Sequence, residues 1–348
     1  MELKKINGYV DFLKGIAIIL VVFGHCIQYG SGLNYLNNEL FFDNWLFKFI
    51  YSFHMPLFML VSGYLFYFSM LKYTFEKNIR RRFTLLILPI FSWSLVALVL
   101  KLYTIESFDV ITLVKFVLSN FINSLWFLWA IFFSSMVVLI GKKYLKDSLV
   151  FYLLVFLLTF VTPDMFILKA TYKFMYPFFI AGYFFHKKYR EKSDLFKNVN
   201  PWGKKSLVTV VSILFLGMLL FFNKEHYIYT SGYTIVKNGL SFEQLLIDLY
   251  RSIIGLFGSV FVILISFRWY KPNKITNTIS YLGKNSLGIY IISGYLSIAC
   301  SYLFESLSTA NYLLISLQSI VTIVISIGVT YILKKQKLLN AILFGGRL

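Results

Sequence analysis

The feature that most limits this chain is a series of apolar stretches, each near 20 residues long, spread over all 348 residues. A helix needs about 20 consecutive apolar residues to cross a hydrocarbon core roughly 30 Å thick. Ten stretches of this kind can be read, at 12–29, 46–68, 83–103, 122–141, 148–163, 171–186, 206–223, 248–267, 286–304 and 312–333. The fifth and sixth are short, and residues 111–121 are apolar enough for a re-entrant or interfacial piece. The pattern predicts an all-α integral membrane protein: one bundle of about ten transmembrane helices in a single domain, 1–348, with no separate soluble domain. Only 14% of the residues are charged, against roughly 25% in soluble domains, which excludes a soluble or disordered chain. The first stretch reads as a span and not as a cleavable leader, because Asp11 and Lys14 interrupt it and no small-residue cleavage pattern follows. Cys26 and Cys300 both fall inside apolar runs, so no disulfide framework is expected.

The net charge of +19 is explained by topology. The N-terminus, the even-numbered connections and the C-terminus hold 26 of the 34 Lys and Arg, among them Lys14, five cations in 72–82, and Lys334, Lys335, Lys337 and Arg347. The opposite side holds 8 cations and 9 of the 15 acids. Positive residues stay on the cytoplasmic side, so both termini are expected in the cytoplasm, and nucleic-acid binding is not needed to account for the basicity.

Ionisable groups at membrane depth are functional candidates by default. His25 and His54 are two such groups. Lys14 and His25 are 11 residues apart, which on a helix is about three turns plus 20°, with a rise near 16 Å. Both therefore face the same way, the cation near the surface and the imidazole deep inside, with Asp11 joining the stripe at its surface end. This separation suits a long anionic substrate that enters from the cytoplasm. Lys77, Arg80, Arg81 and Arg82, just before the third span, serve either as a topology anchor or as a phosphate clamp, since guanidinium forks bind phosphate oxygens and stay charged. His54-Met55-Pro56 interrupts the second run and Ser62-Gly63 follows two turns later. A proline there frees a backbone carbonyl and kinks the helix beside a cavity. Trp126 and Trp129 open the fourth span, where interfacial belt residues are expected, and a contact to substrate is the second reading of both.

These residues also form recognisable motifs. The stretch from Tyr9 to His25, YVDFLKGIAIILVVFGH, resembles the opening of the acyltransferase-3 family of membrane acyltransferases, in which a cation precedes a histidine by ten intervening residues and an Asp lies three residues before the cation. Phe53-His-Met-Pro-Leu-Phe-Met-Leu-Val-Ser-Gly-Tyr64 resembles its second signature. Leu125–Trp129, Tyr176–Gly182 and Leu282–Tyr290 are similar to its later landmarks in the same order. The resemblance implies a ten-helix domain that moves an acyl group, usually acetyl, from cytoplasmic acyl-CoA to a hydroxyl of a cell-envelope glycan. By position it implies that His25 is the catalytic histidine and Lys14 the motif cation. Lys77-x-x-Arg80, with Arg81 and Arg82 beside it, is the nearest fit to the family's paired-arginine motif, and Ser293 stands where the ninth span of such proteins often carries a second histidine.

The expectation is therefore an O-acyltransferase, multi-pass in the plasma or inner membrane. Lys14, Lys77, Arg80, Arg81 and Arg82 would hold the phosphates of acyl-CoA, here a co-substrate, with no permanently bound cofactor and no metal. His25, neutral near pH 7, would deprotonate the acceptor hydroxyl or take the acyl group itself. Ser62, Tyr290 or Ser293 would donate to the oxyanion, and Asp11, His54 and Trp126 would support the site. The acceptor would be a glycan or a lipid-linked glycan. The rival reading is a transporter or flippase for a lipid-linked glycan without covalent chemistry, against which stand the lack of an inverted repeat and of paired acids in the spans. A structural scaffold would leave the Lys14–His25 stripe without a purpose.

Overall fold

Among the described residues each of the ten apolar stretches is mainly helical, and the fourth begins with a turn at 124–125 between two helices. The computed structural model describes residues 2–103, 109–165, 169–191, 201–236, 239–303 and 310–346. Of the loop charges counted above, Glu106, Lys192, Asp194, Lys197, Lys237, Glu305 and Arg347 lie outside the described residues. The helices are α1 (Glu2–Tyr29), α2 (Leu33–Asn37), α3 (Trp45–Lys72), α4 (Phe75–Arg82), α5 (Leu88–Leu102) and α6 (Val110–Asn123). Then come α7 (Trp126–Tyr144), α8 (Leu149–Val161), α9 (Ala170–Glu191), α10 (Pro201–Leu220) and α11 (Ile228–Ser231). The last are α12 (Phe242–Trp269), α13 (Lys274–Lys284), α14 (Ser286–Leu303), α15 (Tyr312–Lys335) and α16 (Lys337–Phe344). Among the described residues there is no strand beyond one isolated bridge, Val236 to Leu240.

Among the described residues seven segments are long and apolar enough to cross a membrane: Gly8–Tyr29, Trp45–Lys72, Phe75–Leu102, Trp126–Tyr144, Phe242–Trp269, Ser286–Leu303 and Tyr312–Lys335. Of the other three runs, two are shorter apolar helices, Leu149–Val161 and Ser206–Leu220. Leu153, Leu157, Ile213, Ile320 and Val324 are exposed along these helices, the outward apolar surface that lipid requires of a spanning bundle.

Two glycine crossings bring the functional helices together. A Cβ on Gly15 would overlap the carbonyl of Ile279, and one on Gly283 would overlap that of Asp11, so α1 and α13 touch backbone to backbone. Gly63 and Gly182 do the same for α3 and α9, against Phe179 and Leu60. Small residues at a crossing permit this approach, which is how helices associate where lipid removes the hydrophobic drive. Pro56 lies inside α3, and Gly255 of α12 packs against its ring.

The third span starts earlier than the hydropathy suggests. Residues 75–82 are helical, and a single π turn, Phe83–Ile87, joins them to α5. Pro89 follows, and a π turn accommodates its missing N–H. The four cations read as a connection therefore project from a helix. Thr74 caps it by accepting from the Lys77 N–H at 3.4 Å. Residues 111–121, read as re-entrant or interfacial, lie in α6, which leaves Val110, Ile111, Val114 and Leu118 exposed.

Candidate active site

Lys14 and His25 ride on one unbroken helix, so the 11-residue spacing corresponds to about 16 Å along α1. The end of the bundle near Lys14 is called here the basic end, and the opposite one the far end. Lys14 is ion-paired with Asp11 at 2.9 Å, both side chains about one-fifth exposed. It makes no hydrogen bond or ion pair with the other basic cluster, so the two groups expected to act together are not in contact.

That second cluster is built by one buried amide. Asn78, 1% exposed, donates to the carbonyls of Tyr73 at 2.9 Å, Thr74 at 3.1 Å and Ser69 at 3.3 Å, and accepts from Ser69 Oγ at 2.6 Å. The turn between α3 and α4 is thereby locked. Arg81 then lies over the Tyr73 ring at 4.4 Å and Arg82 over Phe66 at 4.6 Å. Lys77 and Lys72 approach the Tyr73 ring at 5.2 and 5.5 Å. Among the described residues, Lys77, Arg80, Arg81 and Arg82 pair with no carboxylate, and the nearby Glu76 meets Lys143 at 3.6 Å. The Nε atoms of Arg81 and Arg82 are buried without a hydrogen-bond partner. The guanidiniums are thus held on aromatic faces with their charge uncompensated by the described residues. Arg80 and Lys77 are exposed, so the ordered part of the cluster is Arg81 and Arg82.

At the other end of the stripe, His25 meets Tyr29 edge to face at 6.3 Å, and its Nδ1 is buried with no partner. His54, on the neighbouring helix α3, is 4% exposed. Its Nδ1 is 2.8 Å from the Ile50 carbonyl. A carbonyl only accepts, so this partner assigns the proton to Nδ1 and leaves Nε2 as the free base. The carbonyl that His54 meets is that of Ile50, and not that of Ser52, the one Pro56 leaves without its donor.

Around the histidines stands a set of tyrosines that the sequence did not single out. Tyr51 packs on His54 at 4.7 Å and donates to Gln28 of α1 at 3.3 Å. The hydroxyls of Tyr29, Tyr227, Tyr229 and Tyr290 all lie near enough to that of Tyr51 to interact with it. A small cavity of about 30 Å³ is lined by Tyr51, His54, His226, Tyr227, Tyr229 and Arg251 among others, which is room for about one water. Of the three oxyanion donors considered, Tyr290 joins this group. Ser293 is fully buried and its hydroxyl bonds the Tyr290 carbonyl at 3.2 Å. Trp126 faces Tyr229 at 6.2 Å. Trp129 is 8% exposed and donates to the Phe121 carbonyl at 2.8 Å. The belt reading thus fails for Trp129, because α7 begins among other helices; among the described residues the exposed tryptophans at helix ends are Trp45 and Trp269.

The far end is closed by the segment 224–234. Arg251, 1% exposed, donates to the carbonyls of Gly232 at 2.6 Å and Glu225 at 3.3 Å and to Ser231 Oγ, and faces Asp248 at 3.4 Å. Lys173 pairs with Asp164 at 2.7 Å and donates to Thr162 O and Thr234 Oγ1. Arg251 and Asp248 sit inside the eighth apolar run. The rule that selected His25 applies to them equally, and their contacts make them struts.

Comparison with known proteins agrees with the motifs. The family described as "Acyltransferase domain" matches residues 7–334. The chain is 27% identical to the nodulation protein NolL of Mesorhizobium japonicum over 82% of its own length and 74% of that protein. It is 32% identical to the nodulation protein NolL of Sinorhizobium fredii over 53% of its length and 50% of that relative. No solved structure matches the chain.

Proposed function

The chain belongs to the acyltransferase-3 family, and from that premise we propose that it moves an acetyl group from cytoplasmic acyl-CoA to a hydroxyl of a cell-envelope or exported glycan. The observation that carries the reading is the single helix α1, whose one face bears Lys14 near the basic end and His25 beside the tyrosines. A pantetheine arm spans a distance of this order. In the proposal Arg81 and Arg82, with Lys77, Arg80 and Lys14, take the phosphates of CoA. The thioester reaches His25, which accepts the proton of the acceptor hydroxyl while that oxygen attacks the thioester carbonyl. The carbon–sulfur bond breaks, and the departing thiolate takes the proton from His25. Tyr290 donates to the oxyanion, and His54, its tautomer set by Ile50, stands as a second base.

The finer topology belongs to the same proposal: ten spans in one membrane domain, both termini cytoplasmic, in the plasma or inner membrane. The division of loop cations, 26 to 8, supports it. Reporter fusions within 30–44 and at Leu348 should land on opposite sides. The activity is tested with purified protein in lipid nanodiscs, radiolabelled acetyl-CoA and an envelope glycan extract. Alkali-labile acetyl on the glycan is expected. Movement of a lipid-linked glycan with no thioester consumed would overturn the reading in favour of a flippase.

A further inference from the structure

The segment 224–234 is more firmly held than its length calls for. Three of its backbone or side-chain oxygens bond a fully buried arginine. Tyr227, 3% exposed, lies against Phe42 at 4.7 Å, and Tyr233 stacks on Phe160 at 5.0 Å. His226 packs on Tyr250 at 4.3 Å and accepts from the Asn223 N–H at 3.1 Å. Within this strap one large ring is left open. Tyr229 is 55% exposed, while Tyr227 and Ile228 before it are buried. Its ring is set at 79° to that of Trp126, 6.2 Å away, and its hydroxyl lies near those of Tyr29, Tyr51 and Tyr290.

We propose that Tyr229, with Trp126 as the second wall, is the acceptor subsite, and that it binds a neutral sugar ring beside His25. The inference rests on the acyl-transfer reading and adds the residue that recognises the acceptor. Three features select the ligand class. A right-angled pair of aromatic faces matches the apolar C–H face of a pyranose, whose hydrogens meet the negative face of an aromatic ring. The surrounding phenol hydroxyls supply donors and acceptors for a polyol. The sugar would rest on the exposed face of Tyr229, outside the one-water cavity that this residue borders. No carboxylate lines that cavity among the described residues, and its arginine is spent on Gly232, Glu225, Ser231 and Asp248, so nothing here calls for a charged ligand. The strap holds the platform still. Preorganisation of this kind lowers the ordering cost of binding.

The test uses the full chain in nanodiscs and three neutral probes, maltotetraose, cellotetraose and an N-acetylated glucosamine tetramer, with binding read by ligand-observed NMR. The wild type should bind at least one. Tyr229→Phe should bind it nearly as well, because the ring is the platform. Tyr229→Ala should weaken it roughly tenfold, with acetyl-CoA affinity unchanged. Hydrogen exchange over 224–234 checks that the strap keeps its protection in the variants. Equal binding by the alanine variant with an intact strap overturns Tyr229 as the platform, and binding of none of the three probes overturns the sugar class. A wild type that binds a probe yet transfers no acetyl to it or to envelope glycan sinks the catalytic reading and leaves the subsite standing.

Discussion

Two groups of cations in this bundle look alike in the sequence and differ in what surrounds them. At the far end Arg251 and Lys173 are buried, and their donors meet Asp248, Asp164 and backbone oxygens. At the basic end Arg81 and Arg82 rest on aromatic rings, face no carboxylate among the described residues, and keep buried Nε atoms without partners. A buried charge is tolerated when it is paired, and removing one partner of such a pair is costly. Like charges left together are stable only when an anion completes them. The first group is therefore a set of struts, and in the proposal above the second is a receptor for the phosphates of acyl-CoA.

The largest expected effect lies between the two groups. His25→Gln should lower acyl transfer by about 10² to 10⁴ while leaving acyl-CoA affinity and thermal stability near wild type. A variant that still turns over at the wild-type rate would remove the centre of the scheme. Next, Arg251→Met should destabilise the bundle by about 3–5 kcal/mol, the cost of stranding a buried partner, seen as a lower melting temperature with acyl-CoA affinity preserved. The double change Arg81→Gln with Arg82→Gln should do the reverse, weakening acyl-CoA roughly tenfold or more with little change in melting. Its binding should lose most of the wild type's salt dependence. If the arginine double variant melts early and binds normally, the contrast between strut and receptor is wrong.

A smaller effect follows from His226, which lies outside the spans. Burial and then the nearby Arg251 charge hold its pKa down, from the usual 6.5 to about 4. When the strap opens, the imidazole protonates at its ordinary value, so the open state binds more protons between those two values. The strap is then fully stable above about pH 6.5 and loosens as the pH falls toward 4. Exchange of the amides in 224–234 should accelerate from pH 7 to pH 5 after correction for intrinsic rates. The same acceleration in His226→Phe would assign the effect elsewhere. The smallest change expected is at the pair Lys224–Glu39, both half exposed, where Glu39→Gln should shift stability by about 0–1 kcal/mol.

The stripe that carries the candidate site was legible in the chain. An 11-residue spacing on one helix needs only helical geometry to place Lys14 and His25 on one face, and the two motifs around them carry the family. Asn78, Tyr73, Tyr229 and Arg251 were not legible in the same way. Nothing distinguishes Tyr227 and Tyr229 among 25 tyrosines until α11 is pinned beside α7. Asn78 reads as an ordinary polar residue until three carbonyls of one turn are seen to converge on it.

The sequence by itself determined the apolar runs, the asymmetry of the loop cations and the stripe along α1, because each depends on local periodicity or on a residue's own transfer energy. The tertiary structure alone decided which cations are paired, that residues 75–82 are helical up to a π turn, and that Trp129 is packed inside rather than set in a belt. It also decided that α1 and α3 meet their partners through Gly15, Gly283, Gly63 and Gly182. These are properties of contacts between segments distant in the chain. Whether a guanidinium is a strut or a receptor depends on the oxygen that another helix does or does not bring within reach.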